Sequence, residues 1–355
     1  MLWTVNATAC IATARVGPDR DEVPLNAVSG ESLAVAPQTR WQKSAGRAVR
    51  GSPAIGTRVI AVGTSDRNVV LLDRATGEQI WRQRVSGPVA GGPLLAGNLL
   101  YVATQAVPDG RVLALRLTTG KVQWRTSTGG VTAPLARTED LVLAVTDAGD
   151  VIALDAATGA QRWRRSLKRG ARATPVSTAE GIVVATLGDS LYLLDAATGA
   201  VRAQRATPGA VLGTPAVDGH RLFLATTAGH LVALELPTLA VQWDRPLDDA
   251  VFGALALVGD TVYALSARGT LWRVPVDAPD RARSVALGVP ATAGPTPVAG
   301  GVLVASVTGD VLFVDAASDL VRWRTKRRGP IAEPPLVRDR QLILITGDGT
   351  VEAFQ

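Results

Sequence analysis

Short apolar runs alternate with turn residues along the chain from about residue 38 onward. Residues 141–145 (Leu-Val-Leu-Ala-Val) form one apolar run, residues 146–150 form a turn, and residues 151–154 form a second run. Runs of this length, rich in Val, Ile and Leu and separated by Gly, Asp and Asn, predict β-strands joined by hairpins. No segment shows sustained helical periodicity. The pattern therefore predicts an all-β protein.

The strand pattern repeats about every 40 residues. In the clearest copy, residues 154–163, an aspartate starts an Asp-Ala-Ala-Thr-Gly turn and a tryptophan follows eight positions later. The aspartate position recurs at spacings of 43, 39 and then 40 residues, at Asp73, Arg116, Asp155, Asp195, Glu235, Pro275, Asp315 and Gln355. The tryptophan position holds Trp81, Trp124, Trp163, Ala203, Trp243, Arg283 and Trp323. Eight units of four strands predict an eight-bladed β-propeller of four-stranded antiparallel blades.

The eighth copy lacks its tryptophan strand, because Gln355 is the last residue of the sequence. Trp41 lies upstream of the first full copy and can supply that strand. We therefore predict a ring closed by an N-terminal strand that joins the C-terminal blade. Residues 38–355 then form the propeller. Residues 1–37 lack the pattern and are rich in Pro, Gly, Ser and charge, so we expect a mobile tail.

The tryptophans start the outermost strand of their blades, where an indole can lie flat against the neighbouring blade. Such an indole buries a large apolar face while its N–H reaches a carbonyl. We predict this structural docking role for Trp41, Trp81, Trp124, Trp163, Trp243 and Trp323.

Composition limits the chemistry of the chain. Lys and Arg number 37 against 31 Asp and Glu, a net charge of +6. One cysteine forms no internal disulfide and no Cys-rich zinc site, and two histidines are too few for a metal site of their own. No apolar run approaches the roughly 18 residues of a membrane-spanning helix. We expect no catalytic residue, metal or cofactor.

Two basic clusters lie in outer strands and in the loops that follow them. One comprises Arg164, Arg165, Lys168, Arg169 and Arg172, and the other Arg322, Arg324, Lys326, Arg327 and Arg328. Charged rim strands prevent edge-to-edge aggregation, whereas a basic loop can also contact an acidic partner. Aromatic residues for base stacking do not alternate with these charges, which argues against nucleic acid.

The repeat Ala-Leu-Asp-Ala-x-Thr-Gly-x-x-x-Trp resembles the pyrroloquinoline-quinone (PQQ)-type propeller repeat over about nine tenths of the chain. One branch of that family, the quinoprotein alcohol dehydrogenases, binds quinone and calcium in the central channel beside adjacent cysteines. The predicted propeller contains no cysteine, so a dehydrogenase is the least favoured function.

The other branch comprises the BamB-like lipoproteins, which assist insertion of β-barrels into the outer membrane. That resemblance implies a non-catalytic periplasmic scaffold whose loops bind a BamA-type barrel subunit. Of the family's two binding stretches, the first matches here at Arg169 and Gly170, next to Lys168, and the second at Thr214 and Pro215. The aspartates of the second stretch are absent, so an accessory subunit of another envelope complex is the alternative.

Ala7-Thr8-Ala9-Cys10 resembles a weak lipobox, the site at which bacterial lipoproteins are acylated on cysteine. The family resemblance implies a lipid anchor at Cys10 and a location at the periplasmic side of the outer membrane. The nine preceding residues contain no Lys or Arg, unlike a secretory signal. Cys10 as an incidental thiol therefore remains the alternative.

Overall fold

The computed structural model describes residues 29–33 and 35–355, which form eight β-sheets. In blades 1 to 7, four consecutive strands pair antiparallel in sequence order. Blade 8 combines the last three strands with one N-terminal strand. The eight-bladed propeller that the sequence predicts is thereby confirmed.

Two strands precede the first blade: β1 (Ser29–Ser32) and β2 (Thr39–Ser44). Blades 1 to 4 contain β3 (Ala54–Ile55), β4 (Val59–Gly63), β5 (Asn68–Asp73), β6 (Gln79–Arg84); β7 (Leu94–Ala96), β8 (Leu99–Ala103), β9 (Arg111–Arg116), β10 (Val122–Ser127); β11 (Ala136–Arg137), β12 (Leu141–Val145), β13 (Asp150–Asp155), β14 (Gln161–Ser166); and β15 (Val176–Thr178), β16 (Gly181–Thr186), β17 (Ser190–Leu194), β18 (Val201–Ala206).

Blades 5 to 8 contain β19 (Ala216–Asp218), β20 (Arg221–Ala225), β21 (His230–Glu235), β22 (Ala240–Pro246); β23 (Ala256–Val258), β24 (Thr261–Leu265), β25 (Thr270–Pro275), β26 (Arg283–Ala286); β27 (Thr296–Ala299), β28 (Gly301–Ala305), β29 (Asp310–Asp315), β30 (Val321–Lys326); and β31 (Leu336–Arg338), β32 (Gln341–Ile345), β33 (Thr350–Phe354). A short 3-10 helix, Pro279–Arg281, interrupts blade 6 between β25 and β26.

The first strand of each blade lies nearest the ring axis. Neighbouring first strands contact one another, as β3 does β7 and β19 does β23. The fourth strands form the rim, because they expose most of their side chains and bury chiefly the tryptophan position, as in β14. The second and third strands are buried almost throughout, so each blade is apolar in its middle.

The hydrophobic core lies between the blades. Eight clusters of buried side chains occur in the described residues, and each joins two adjacent blades. Val59 and Leu71 of blade 1, for example, share a cluster with Leu100 and Leu115 of blade 2. Stability in this ring therefore depends on the contact between neighbours.

Strand β2 closes the ring as the sequence predicts. It pairs antiparallel with β33, with Trp41 opposite Ala353 and Ser44 opposite Thr350. The backbones of Gln38 and Gln355 exchange two further hydrogen bonds of 3.0 and 2.9 Å.

The segment predicted to be a tail contains one strand that pairs with the propeller. Strand β1 pairs in parallel with β27, the first strand of blade 7, on its axis side. Leu33 follows and is buried between blades 7 and 8. Its carbonyl accepts a 2.6 Å hydrogen bond from Trp323 Nε1. The expectation of a mobile tail up to residue 37 is corrected for this segment, because β1 pairs with blade 7 and Leu33 supplies buried apolar surface and the acceptor for Trp323.

Candidate functional site

The loops between blades share one side of the ring with the turns between second and third strands. We call this side the loop face and the opposite side the turn face. A repeated backbone hydrogen bond ties the two kinds of segment together, from Asp147 N to Gly130 O (2.8 Å) and from Leu187 N to Gly170 O (2.8 Å). Gly170 is buried, and a Cβ there would lie 2.8 Å from the Asp147 carbonyl oxygen. Gly170 therefore has a structural role, because a side chain at this position would clash with the neighbouring turn.

Lys168 and Arg169 project from the loop face next to Gly170. Lys168 has a φ of 65°, which turns the chain sharply after β14. Arg169 lies across the turn of the next blade, so closely that a Cβ on Gly188 would be 2.7 Å from Arg169 Cγ. Both side chains are exposed, and neither has an ion pair within residues 29–33 and 35–355.

The rest of the first basic cluster divides into two groups. Arg164 Nε lies 3.0 Å from Asp150 Oδ2, and Arg165 Nε donates to the Gly199 carbonyl at 2.8 Å. These two side chains stabilise the rim. Arg172 is exposed, and the described residues provide it with no ion-pair partner. Lys168, Arg169 and Arg172 are therefore the cations of this cluster that remain available to a partner.

The second basic cluster is largely engaged by the propeller. Arg324 and Lys326 both bind Asp310, at 3.0 and 2.9 Å. Burial would raise the pKa of Asp310, but hydrogen bonds from Thr308, Lys326 and Arg324 lower it below its ordinary value. Arg327 lies over the Phe354 ring at 5.0 Å. Most of this cluster thus stabilises blade 7 itself, and Arg327 links that blade to blade 8.

Thr214 lies in the next loop of the same face but nearer the axis. Its hydroxyl shares a 3.0 Å hydrogen bond with the Thr174 hydroxyl of the preceding blade. The structure therefore places Thr214 on the face that carries Arg169, but in a contact between blades.

Leu187 is a surface residue that the sequence analysis did not select. It lies in the turn that binds the Gly170 carbonyl, and 42% of its surface is exposed. The equivalent turns elsewhere begin with Ser65, Gln105, Asp147, Thr227, Ala267, Val307 and Gly347. Leu187 is the largest apolar residue among the eight equivalent turn positions, and that size is the sequence signal that could have identified it.

The six docking tryptophans share one geometry. Each indole N–H donates to a backbone carbonyl of the neighbouring blade or of the N-terminal segment, at 2.6–3.1 Å: Trp41 to Arg74, Trp81 to Leu117, Trp124 to Ala156, Trp163 to Ala196, Trp243 to Val276 and Trp323 to Leu33. Where a Thr-Gly turn lies opposite, the glycine meets the ring face: a Cβ on Gly199 would lie 2.5 Å from Trp163. With a φ of 67°, Gly199 is also in the left-handed region.

The aspartate that opens the turn organises it from within. Asp155 Oδ1 accepts hydrogen bonds from the backbone of Ala157 and from the backbone and hydroxyl of Thr158, at 3.1, 2.9 and 2.8 Å. Arg162 binds the other carboxylate oxygen at 2.5 Å. Hydrogen bonds from Arg162 and Thr158 lower the pKa of Asp155 to about 2.

The remaining residues that the sequence analysis singled out are Cys10 and the two histidines. Cys10 lies outside the described residues. His220 and His230 each pair with one carboxylate, of Glu180 at 2.6 Å and of Asp244 at 2.7 Å. The described part of the chain contains no group of three or more His, Cys, Asp or Glu residues that could hold a metal ion. Nor does it contain a helix that is long and apolar enough to cross a membrane.

Comparison with known families identifies the chain. The sequence profile of the family described as "Outer membrane protein assembly factor BamB" matches residues 30–177, 147–274 and 258–355, which together span the propeller. The chain belongs to this family. Its similarity to individual curated BamB proteins is more limited.

BamB of Shewanella oneidensis is 27% identical over 165 residues, which are 41% of each chain. BamB of Burkholderia pseudomallei is 33% identical over 130 residues, 36% of this chain and 33% of the relative. The chain therefore spans about two fifths or less of the length of the curated relatives it matches.

Two solved structures share the fold. The crystal structure of BamB from Moraxella catarrhalis superposes with a TM-score of 0.78 at 18% identity, over 90% of this chain and 100% of that one. Quinohemoprotein alcohol dehydrogenase from Comamonas testosteroni superposes with a TM-score of 0.73 at 14% identity, over 90% and 76%. At these identities the superpositions show the fold alone.

Proposed function

We propose that this BamB-family propeller is a non-catalytic scaffold of the bacterial periplasm that docks a protein partner on its loop face and so assists outer-membrane protein assembly. The observation that carries the proposal is the group of three exposed cations, Lys168, Arg169 and Arg172, beside the exposed Leu187. The fold binds Arg164 to Asp150 and Arg165 to the Gly199 carbonyl, whereas the described residues offer these three cations no ion-pair partner.

Such a surface suits an acidic protein segment with an apolar side chain. A guanidinium binds a carboxylate through two parallel hydrogen bonds, which gives direction as well as charge. A partner that covers Leu187 would also bury its exposed apolar surface, which favours binding through the hydrophobic effect. Charged groups around an apolar centre are typical of protein interfaces.

The partner proposed first is a BamA-type barrel subunit, because the first binding stretch of the family is matched at Arg169 and Gly170. The second stretch corresponds to residues 210–215 and contains no aspartate. That departure favours the alternative of an accessory subunit in another envelope complex. Mass spectrometry of the partner that is recovered by affinity purification distinguishes the two, since it identifies the bound protein.

The test is affinity recovery of the partner from membranes of the native host, with Arg169→Glu as the variant. Reversing a buried contact charge should cost on the order of 2–5 kcal/mol of binding, while folding should change by less than about 0.5 kcal/mol. The matched control is Arg328→Glu, an exposed arginine of the same face near blade 8. Full recovery of the partner by both variants would overturn the proposal.

We also propose that Cys10 carries a lipid anchor. Two or more acyl chains on one cysteine give stable membrane attachment, where one chain is marginal. The protein should then fractionate with membranes when it is expressed from its native locus, and Cys10→Ala should move it to the soluble fraction. An N-terminal peptide with unmodified Cys10 in native material contradicts the anchor.

A dehydrogenase shares this fold, as the superposition above shows. Shared fold alone does not establish shared chemistry. The propeller contains no cysteine, and the loop face supports docking more directly than catalysis.

A further inference from the structure

A ring of small residues surrounds the axis at the loop face. Each blade contributes one position, three residues before its first strand begins: Gly51, Gly91, Ala133, Ala173, Gly213, Gly253, Ala293 and Glu333. The backbones of neighbouring blades approach closely here, since a Cβ on Gly51 would lie 2.2 Å from Gly92 N, and one on Gly213 would lie 1.9 Å from the Gly253 carbonyl oxygen. The fold therefore favours Gly or Ala at this position.

Glu333 departs from that rule. It is the single charged residue of the ring, and its carboxylate Oε2 accepts a 2.6 Å hydrogen bond from Ser52 Oγ in the loop before blade 1. The side chain is partly exposed within this ring of residues, and Ser52 of the loop before blade 1 lies against it. A carboxylate in a narrow opening keeps little of its hydration shell.

No cation compensates this carboxylate in the described residues. The two loops that meet at Glu333 carry Arg327 and Arg328 on its own side and Arg47 and Arg50 on the other, and none of them forms an ion pair with it. Arg327 turns away to Phe354 and Glu352. Burial raises the pKa of Glu333 to about 7, although the hydrogen bond from Ser52 opposes the shift. The group thus opposes folding at neutral pH, because the unfolded chain ionises it freely while the folded protein must either keep it protonated or ionise it without a counter-charge.

A residue that the fold does not need, and that weakens it, indicates function. We propose that the axial opening on the loop face binds a cationic side chain, a lysine ammonium or an arginine guanidinium, that a protein partner inserts between Glu333 and Ser52. The ammonium supplies the counter-charge that the carboxylate lacks. The Ser52 hydroxyl can accept a hydrogen bond from the cation while it donates to Glu333, because a hydroxyl has both capacities.

An organic cation fits better than a metal ion. The opening offers one carboxylate and one hydroxyl, and the described chain has no cluster of three ligand-type side chains. A divalent metal needs more protein ligands than these. The net charge of +6 disfavours binding of cations elsewhere on the surface. Saturable binding of a cation would therefore depend on Glu333.

The probe is the blocked tripeptide Ac-Ala-Lys-Ala-amide, with Ac-Ala-Gln-Ala-amide as its uncharged match. Binding to the full-length protein is followed through the carboxyl resonance of 13C-labelled Glu333, assigned with Glu333→Gln. Only the ionised carboxylate should bind, so affinity should rise about tenfold between pH 6 and pH 8 as the competent fraction increases. Glu333→Gln should lose at least tenfold in affinity and all of the pH dependence.

Two controls separate the site from general charge and from a structural role. Glu139→Gln removes an exposed carboxylate from the turn face and should bind the lysine peptide as the parent does. Glu333→Ala restores the residue of blades 3, 4 and 7 and should melt at the same temperature as the parent or higher at pH 8. Equal binding of both peptides, equal loss in Glu139→Gln, or a lower melting temperature for Glu333→Ala would each overturn the proposal.

This site is independent of the docking role of Arg169. Arg169→Glu should leave the affinity for the lysine peptide within about twofold, because Arg169 lies between blades 3 and 4 and Glu333 between blades 7 and 8, and salt screens charges on opposite sides of the ring. Failure of the pull-down with Arg169→Glu and failure of the lysine-peptide titration are therefore separate results.

Discussion

At two blade interfaces the docking tryptophan is replaced, and the residue opposite it changes as well. Between blades 4 and 5, Ala203 takes the place of tryptophan, and Leu239 takes the place of the glycine that elsewhere meets the indole. Leu239 has a φ of 58° and is fully buried in the cluster against which Ala203 packs. The large side chain of this interface thus belongs to blade 5 instead of blade 4, and it fills the interface from the opposite side.

Between blades 6 and 7 the replacement is ionic. Arg283 occupies the tryptophan position, and Asp319, with a φ of 58°, occupies the glycine position, with Arg283 Nη1 3.8 Å from its Oδ2. Arg273 of the third strand donates to the Ala316 carbonyl, the acceptor that an indole uses elsewhere. Arg273 also pairs with Asp319 at 3.1 Å. Aromatic docking is thus one solution to an interface that polar pairs can also satisfy.

The exchange between residues 203 and 239 predicts strong energetic coupling. Ala203→Trp alone should overpack the interface by about 1–3 kcal/mol. Leu239→Gly alone should leave a cavity and cost about 2–4 kcal/mol, reduced by the relief of the left-handed leucine. The double variant should recover most of both losses, because it restores the pair found in blades 3 and 4. Urea denaturation of the four proteins measures this, and losses that add within about 0.5 kcal/mol would contradict it.

A β-bulge in the fourth strand directs each tryptophan toward its neighbour. In blade 3 the pairing passes from Trp163 opposite Ala153 to Gln161 opposite Leu154, so Arg162 is the extra residue. The same shift occurs in every blade except blade 6, which has Arg283 and pairs without a bulge. A bulge re-aims a side chain by locally increasing strand twist. Blade 4 keeps the bulge although Ala203 replaces the tryptophan, so the bulge belongs to the repeat and does not depend on the indole.

The sequence could predict strands, blades and ring closure because each repeat carries the same local chemistry. Asp155 caps its turn, Gly199 needs a left-handed backbone, and Trp163 needs an apolar face; these requirements are readable from residues near one another in the chain. A pattern of apolar runs does not predict the β-bulge at Arg162. The role of Leu33 is equally hidden, because its partner Trp323 lies 290 positions away.

The site was less predictable than the fold for the same reason. The two basic clusters look alike in sequence, but distant partners distinguish them: Asp310 binds Arg324 and Lys326, whereas Lys168 and Arg169 lack such a partner in the described chain. Glu333 stands out only when the eight equivalent positions are aligned around the axis. Function in a repeat protein is therefore found where one copy differs from the others in three dimensions.

The whole ring is held by neighbour contacts, and its ends meet at two places. Strand β2 pairs with β33 and places Trp41 between blades 8 and 1. Strand β1 and Leu33 reinforce the interface between blades 7 and 8. Closure leaves no blade with a free neighbour side, which removes the exposed ends that open repeat arrays must cap.

A deletion series can separate the two contributions to closure. With the protein lacking residues 1–28 as reference, deletion of residues 1–36 removes β1 and Leu33. This should cost about 2–5 kcal/mol, from an indole N–H without its acceptor and from lost leucine burial. Deletion of residues 1–47 also removes β2 and Trp41, which should cost about 3–5 kcal/mol more and expose the edge of β33 to association between molecules. Urea midpoints and gel filtration measure both effects. Equal midpoints for the first two proteins would show that β1 adds nothing to closure, and an unchanged midpoint for the third would mean that the ring does not depend on its N-terminal strand.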